Sequence, residues 1–279
     1  MKFLLIFIFA LSLLKGSSIP LPSSSPVDVF DRGTDIRGVG YYQFNVEVYE
    51  SDEGYTPSIP MGTVNYEGKG LMYLWSLSDT YVFLGLEIKH FESAISAGTM
   101  KATLEDKANP KNYLDKSGFF VGYHPAFSSE LYSSSLVKLG AAASLPLYFY
   151  KMAGDWRVVQ GAIDDGVYKD DEYGFAFKPT ATMQGSVYIL DNLALSAYLG
   201  FSYFASVGVN YYSGGKWQEE DDELTSSTSG PKYLYGWDLS LRSIFSHNDS
   251  ISLSSAFTQA ENSESDNLAE YRLLYMFSF

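Results

Sequence analysis

Cysteine is absent from all 279 residues. That excludes disulfides, thiolate-held metals, a cysteine nucleophile and anchoring through a lipidated N-terminal cysteine. Basic charge is scarce as well: 19 Lys and Arg stand against 33 Asp and Glu, a net charge of −14. Binding a phosphate backbone needs clustered cations to release counterions, so nucleic acid is not an expected partner. Long apolar runs stop at Leu14. Beyond it nothing approaches the roughly 20 apolar residues of a membrane-crossing helix. An integral protein built from the remainder would cross only as a closed β-barrel, in which every backbone group is paired.

Histidine occurs at three positions, His90, His124 and His247. Hydrolysis by a serine needs a histidine in hydrogen-bond reach, and on one strand an H-x-S spacing puts both on the same face. The contexts are His90-Phe91-Glu92, His124-Pro125-Ala126 and His247-Asn248-Asp249, and none fits. Serines such as Ser93, Ser128 and Ser250 could still be brought to a histidine by the fold, but no spacing selects them. The glycines Gly38, Gly40, Gly68 and Gly70 open no helix, so they form no phosphate cradle and are expected to serve curvature and close packing. The acidic runs Glu219–Glu223 and Asp170–Glu172 read as solvated loop tips, with divalent-cation binding as the alternative. No spaced calcium loop is present, so no metal ligand, cofactor site or catalytic residue is assigned.

What the sequence has in quantity is aromatic side chains, 23 Tyr and 19 Phe among them. Met1-Lys2, the apolar run Phe3–Leu14 and the small residues Gly16-Ser17-Ser18 have the form of a secretory signal. The expected division is a signal peptide over 1–18, a periplasmic lead over 19–35 and a barrel over 36–279. Cleavage near Ser25 is the alternative to cleavage after Ser18.

Alternation of period two begins at Ile36. Ile36, Gly38, Gly40, Tyr42, Phe44, Val46 and Val48 share one face, and Arg37, Gln43, Asn45 and Glu47 lie on the other. Strands are expected at Ile36–Glu50, Ile59–Glu67, Leu71–Leu77, Tyr81–Phe91, Gly118–Ser129, Leu136–Tyr150, Trp156–Lys169, Phe175–Leu190, Leu193–Asn210, Lys232–Ser246, Ser250–Asn262 and Leu268–Phe279. The fold class predicted is all-β, a transmembrane antiparallel barrel of ten to twelve strands, the even number that bacterial barrels take. Asp191-Asn192 and Ser246–Asp249 read as tight turns, and Tyr211–Pro231 and Glu92–Lys116 as long connections. A strand count running back from the C-terminus loses its in–out parity near Glu92–Lys116. Arg37, Gln43, Asn45, Glu47, Glu87, Lys89 and Arg242 are the expected lumen residues, with no clear charge selectivity.

Tyr271, Leu273, Tyr275, Phe277 and Phe279 form an unbroken apolar row ending on the last residue. The row resembles the C-terminal signal of outer-membrane barrels. The resemblance implies recognition by the barrel assembly machinery, contact with outer-membrane lipid and a periplasmic C-terminus. A soluble periplasmic β-protein is the rival, although an aromatic edge strand invites aggregation there.

Val48-Tyr49-Glu50, then Pro57-Ser58-Ile59-Pro60 and Val64-Asn65-Tyr66-Glu67-Gly68-Lys69-Gly70, resemble the N-terminal part of the MipA/OmpV family. Lys89-His90-Phe91-Glu92-Ser93, followed by a polar stretch to Ser117-Gly118, is a second parallel. The resemblance implies a small outer-membrane protein that scaffolds peptidoglycan-remodelling enzymes and carries no catalytic residues. The expected function is therefore a non-enzymatic barrel in the cell outer membrane, either an envelope scaffold or a narrow small-solute channel. The alternative is an outer-membrane lipid hydrolase of the phospholipase or lipid A deacylase type. A barrel of this size is too narrow for a general porin.

Overall fold

A computed structural model describes residues 36–50, 62–77, 81–83, 86–88, 90–105, 110–160, 163–190, 192–214, 221–245, 249–259 and 267–278. The export segment 1–18, the lead 19–35 and Phe279 lie outside these. The strands are β1 Ile36–Glu50, β2 Gly62–Leu77, β3 Tyr81–Phe83, β4 Leu86–Ile88, β5 His90–Glu105, β6 Tyr113–Ser133 and β7 Val137–Ser144. They continue with β8 Leu147–Gln160, β9 Ile163–Phe177, β10 Thr180–Leu190, β11 Leu193–Gly214, β12 Asp221–Arg242, β13 Asp249–Gln259 and β14 Asn267–Ser278.

Twelve of these form one antiparallel sheet, and β3 with β4 makes a separate hairpin. β7 and β8 are one wall strand interrupted at Leu145-Pro146, since β6 pairs with both in a single register (Ala126 with Ser144, Tyr123 with Leu147). β9 and β10 are likewise one strand interrupted at Lys178-Pro179, both paired with β11. Counting each interrupted pair once gives ten wall strands. β1 pairs with β14, Ile36 opposite Ser278, and closes the barrel. Both ends of the wall therefore meet at one rim, called the terminal rim below.

Proline causes both interruptions. An N–H is missing at Pro125, Pro146 and Pro179, while their carbonyls still accept from Leu145, Lys178 and Tyr203 at 3.0 Å each. These half-made pairs run diagonally across neighbouring strands. They end at a bulge where Tyr203 of β11 faces Gly230 and Pro231 of β12.

Several expectations are corrected. The two strands expected at Ile59–Glu67 and Leu71–Leu77 are a single strand, β2. Gly68 does not break it because the Phe44 ring opposite covers the space where its Cβ would stand, at 2.0 Å. Tyr81–Phe91 is not a wall strand but the β3–β4 hairpin and the start of β5. Glu92–Lys116 is mostly β5, whose inward residues are small apart from Met100: Ala94, Ser96, Gly98 and Ala102 leave room for large rings from other strands, as Gly98 does for Phe120. Restoring β5 repairs the strand parity. Asp170–Glu172 is the middle of β9 rather than a loop tip, and Tyr211–Pro231 is largely the paired ends of β11 and β12.

The sides of β1 are also reversed. Ile36, Tyr42 and Phe44 point inward and are buried, whereas Arg37, Gln43, Asn45 and Glu47 face outward. A ten-stranded bore is wider than the eight-stranded one that ordinary side chains fill, so aromatic rings close it. Tyr42, Phe44, Phe120, Tyr150 and Tyr198 each stand opposite a glycine on the next strand: Gly70, Gly68, Gly98, Gly174 and Gly236. Of the other expected lumen residues, Arg242 is half-buried at the terminal rim, the Glu87 side chain is not described, and Lys89 lies outside the described residues.

Candidate functional site

The interior has two unlike walls. β1, β2, β6 and β8 contribute Tyr42, Phe44, Met72, Leu74, Phe120, Tyr148, Tyr150 and Met152, all buried. Phe120 sits edge-on to Tyr42 and Phe44, with centroids 5.6 and 5.9 Å apart. The facing wall, β10 to β13, is hydroxyl-rich: Thr180, Thr182, Ser186, Ser196, Ser240, Ser252 and Ser254 point inward. Ser186 pairs with Ser196 within it at 2.8 Å, and Thr180 pairs with Ser144 of the neighbouring β7. Asp238 accepts from Ser240 at 2.6 Å and from Ser252.

Charged and polar groups converge where the two walls meet at mid-barrel. Ser96 Oγ lies 2.7 Å from His124 Nε2, and Tyr148 OH lies 3.4 Å from Nδ1. The His124 and Tyr148 rings cross at 84° with centroids 5.0 Å apart. β14 brings in Glu270 and Arg272, both buried, at the register positions of Phe44 and Tyr42. From the β9–β10 break, Lys178 donates to Thr258 Oγ1 at 3.3 Å.

Nearer the opposite rim, Lys116 of β6 pairs with Asp170 and, at 3.6 Å, with Glu172 of β9. Tyr150 of β8 donates to Glu172 at 3.1 Å. Asp170 and Glu172 are thus structural ion-pair partners inside the barrel and not loop tips, while Asp171 between them faces out. At the terminal rim Asp249 accepts from the N–H groups of Ile244 (2.8 Å) and Phe245 (3.0 Å) and from Tyr275 OH (3.1 Å).

A serine beside a histidine is the pairing that nucleophilic catalysis needs. Here Ser96 is 1% and His124 2% exposed, and both lie mid-strand inside the bore. Both side chains therefore pack inside the bore, away from the lipid-facing belt. The serines named from sequence are placed elsewhere: Ser93 bonds to Tyr123 OH at 3.2 Å, Ser250 is buried near the terminal rim, and Ser128 stands opposite His90 in register but is buried. His247 lies outside the described residues. Among the described residues no three His, Asp or Glu gather as a metal site.

Sequence reasoning missed Ser96, Lys116, Lys178, Glu270 and Arg272. A signal existed for the last two, which alternate with the apolar row Tyr271, Leu273, Tyr275 and so had to share the inward parity.

The outer surface carries an apolar belt. Val39, Tyr41, Leu71, Ile95, Val121, Phe149, Phe175, Leu199, Trp237, Leu253 and Leu273 are exposed large hydrophobics from successive wall strands. Aromatic rings edge the belt near the terminal rim: Tyr73, Trp75 and Tyr123 stack in sequence, Phe91 packs on Phe127, and Tyr275 on Phe277. Tyr271, Leu273, Tyr275 and Phe277 all lie on this lipid-facing side. A belt of this kind, over a closed barrel with a polar interior, is the surface of a membrane-spanning barrel.

No protein-family model matches the chain, and no curated protein matches it in sequence. Solved structures do match in fold. The outer-membrane protease OmpT of Escherichia coli superposes with a TM-score of 0.54 at 10% identity, covering 92% of this chain and 100% of that one. The translocator domain of the autotransporter NalP from Neisseria meningitidis gives 0.44 at 11% identity, with 88% and 90% covered. Ail, the attachment invasion locus protein of Yersinia pestis, gives 0.31 at 12%, with 88% and 99% covered. The likeness to OmpT is one of fold. Together with its own apolar belt, it makes the chain an outer-membrane β-barrel.

Proposed function

We propose that this barrel is a non-enzymatic envelope scaffold, acting through its rims and outer face and not through its bore. The observation that carries the reading is the filled interior at mid-barrel, where Tyr42, Phe44, Phe120, Tyr148, Ser240 and Leu274 are each no more than 1% exposed. The resemblance of Val64–Gly70 and its flanks to the MipA/OmpV family supports the same role, with peptidoglycan-remodelling enzymes as partners at the periplasmic rim. In this reading the terminal rim faces the periplasm, and Tyr271 to Phe279 form the assembly signal.

A narrow solute channel is the second reading, favoured by the hydroxyl wall of β10 to β13. Reconstitution into planar bilayers separates the two. The scaffold predicts no unitary conductance in molar potassium chloride, and reproducible steps would overturn it in favour of the channel. In the same preparation no fatty acid should be released from phospholipid or lipopolysaccharide. Release that disappears in Ser96→Ala would put the hydrolase ahead of both readings.

A further inference from the structure

The outer belt is far taller on one side of the barrel than on the other. Along β9 and β10, one interrupted strand, no charged or amide side chain faces outward from Tyr173 to Leu190. On the neighbouring β11 the same holds from Leu193 to Val209. A tilted strand crosses the apolar part of a membrane in roughly 9–11 residues, and each of these runs is nearly twice as long. Each stands about 40 Å tall, at roughly 3.3 Å per residue and roughly 40° of tilt, against an apolar band of about 25 Å. The opposite side falls short of that band. On β1 only Val39 and Tyr41 lie between the outward Arg37 and Gln43, and on β2 the outward residue that precedes Leu71 is Lys69.

Tilting raises one side of a barrel as it lowers the other but shortens neither face, so lipid alone leaves part of the β9–β11 face bare. Hydrophobic mismatch of this kind favours association. The middle of the face is also open to close approach. Bore-facing glycines such as Gly68, Gly98 and Gly174 make room for rings or for neighbouring backbone. Gly185 points outward, where a Cβ would meet only Leu139 Cδ2, at 3.3 Å, so nothing inside the barrel requires a glycine there. A glycine within a strand often marks the approach of another backbone. Ala197 stands opposite Gly185 on β11, and Met183 and Leu199, 65% and 70% exposed, flank this flat spot.

We infer that two copies of this chain pair side by side in the membrane through the β9–β11 face, with Gly185 and Ala197 at the two-fold axis. The occupant of this face must itself cross the membrane and present an apolar wall of the same height at the same level. A second copy does both by symmetry, because a two-fold axis along the membrane normal brings each residue beside the partner wall at its own height. The pairing needs neither a closed bore nor a periplasmic partner, so it stands or falls apart from the scaffold reading.

The absence of cysteine makes the test direct. Leu199→Cys and Leu71→Cys are compared in outer membranes carrying the full chain, since the two side chains are equally exposed, at 70%, on β11 and on β2 across the barrel from it. Oxidative cross-linking should give Leu199→Cys a product of twice the chain's mass and Leu71→Cys none. Equal yields at both sites, no product at Leu199, or a product of another mass overturns the dimer. Adding Gly185→Phe to Leu199→Cys should abolish the product while the barrel keeps its folded electrophoretic mobility, and an undiminished yield overturns close approach at Gly185. Should that variant not fold, bilayer thickness serves. The Leu199→Cys yield should fall several-fold from short-chain to long-chain phosphatidylcholine vesicles, because thicker lipid covers more of the face. A yield independent of thickness overturns the height of the face as the cause of pairing.

Discussion

Lys116 and Asp170 meet inside the barrel as a buried ion pair that joins β6 to β9 across β8. Glu172 and Tyr150 complete the cluster. Neither carboxylate has solvent to fall back on, so the lysine is what makes their burial tolerable.

Lys116→Met should therefore destabilise the barrel by about 3–5 kcal/mol, the cost of stranding buried charge. The triple variant Lys116→Met, Asp170→Asn, Glu172→Gln should recover most of that loss. Urea midpoints read from electrophoretic mobility would show both effects. Equal losses in the single and triple variants would mean that shape, not charge, matters here.

Gly174 faces the Tyr150 ring, and a Cβ there would stand 2.2 Å from Tyr150 Cζ. Gly174→Val must push out a ring that also donates to Glu172, so overpacking and a broken hydrogen bond act together. The expected loss is about 1–3 kcal/mol. Gly185→Ala is the control: its Cβ would meet only Leu139 Cδ2, at 3.3 Å, the flexible end of a side chain. A Gly174→Val barrel as stable as Gly185→Ala would contradict the ring-on-glycine account.

How far the sequence showed this fold depended on how distinct its two strand faces are. Tyr271, Leu273, Tyr275 and Phe277 alternate with Glu270, Arg272 and Leu274, so β14 was legible down to its lipid-facing side. β1 was legible as a strand but not in its sidedness, because Tyr41 and Val39 on one face are as apolar as Tyr42 and Phe44 on the other. Lipid accepts one set and a wide bore needs the other. β5 was hidden, since Ala94, Ser96, Gly98 and Ala102 have the hydropathy of a loop and are small only because rings from β1 and β6 fill their space. Asp170 and Glu172 read as a turn because their neutralising partner, Lys116, arrives from a strand two places away. The Ser96–His124 contact is likewise made between strands, where no spacing along the chain records it.

The placement of tryptophans gives a direct check of the lipid boundary. Trp237 lies on the outer belt at 39% exposure, while Trp156 stacks on Tyr168 with centroids 4.4 Å apart. Tyr168 is buried on the inward side of β9. In single-tryptophan variants reconstituted with brominated phospholipid, Trp237 emission should be strongly quenched and Trp156 emission hardly at all. Equal quenching would place Trp156 in lipid and undo the assignment of faces.

The proline diagonal makes a prediction about dynamics. Lys178 N–H donates to the Pro146 carbonyl at 3.0 Å, which makes the two residues a hydrogen-bonded pair whose return bond cannot form. Pro125 with Leu145 and Pro179 with Tyr203 repeat the defect on adjacent strands. Local opening follows the distribution of such losses, so amides of Leu145, Lys178 and Tyr203 should exchange with deuterium faster than those of Tyr41 to Asn45, which lie between complete ladders. Pro146→Val restores the missing donor opposite the Lys178 carbonyl. It should slow exchange at Lys178 and raise stability by about 0.5–1.5 kcal/mol, the net worth of one backbone hydrogen bond. Unchanged exchange at Lys178 in that variant would show that the break is held by the chain around it and not by the missing donor.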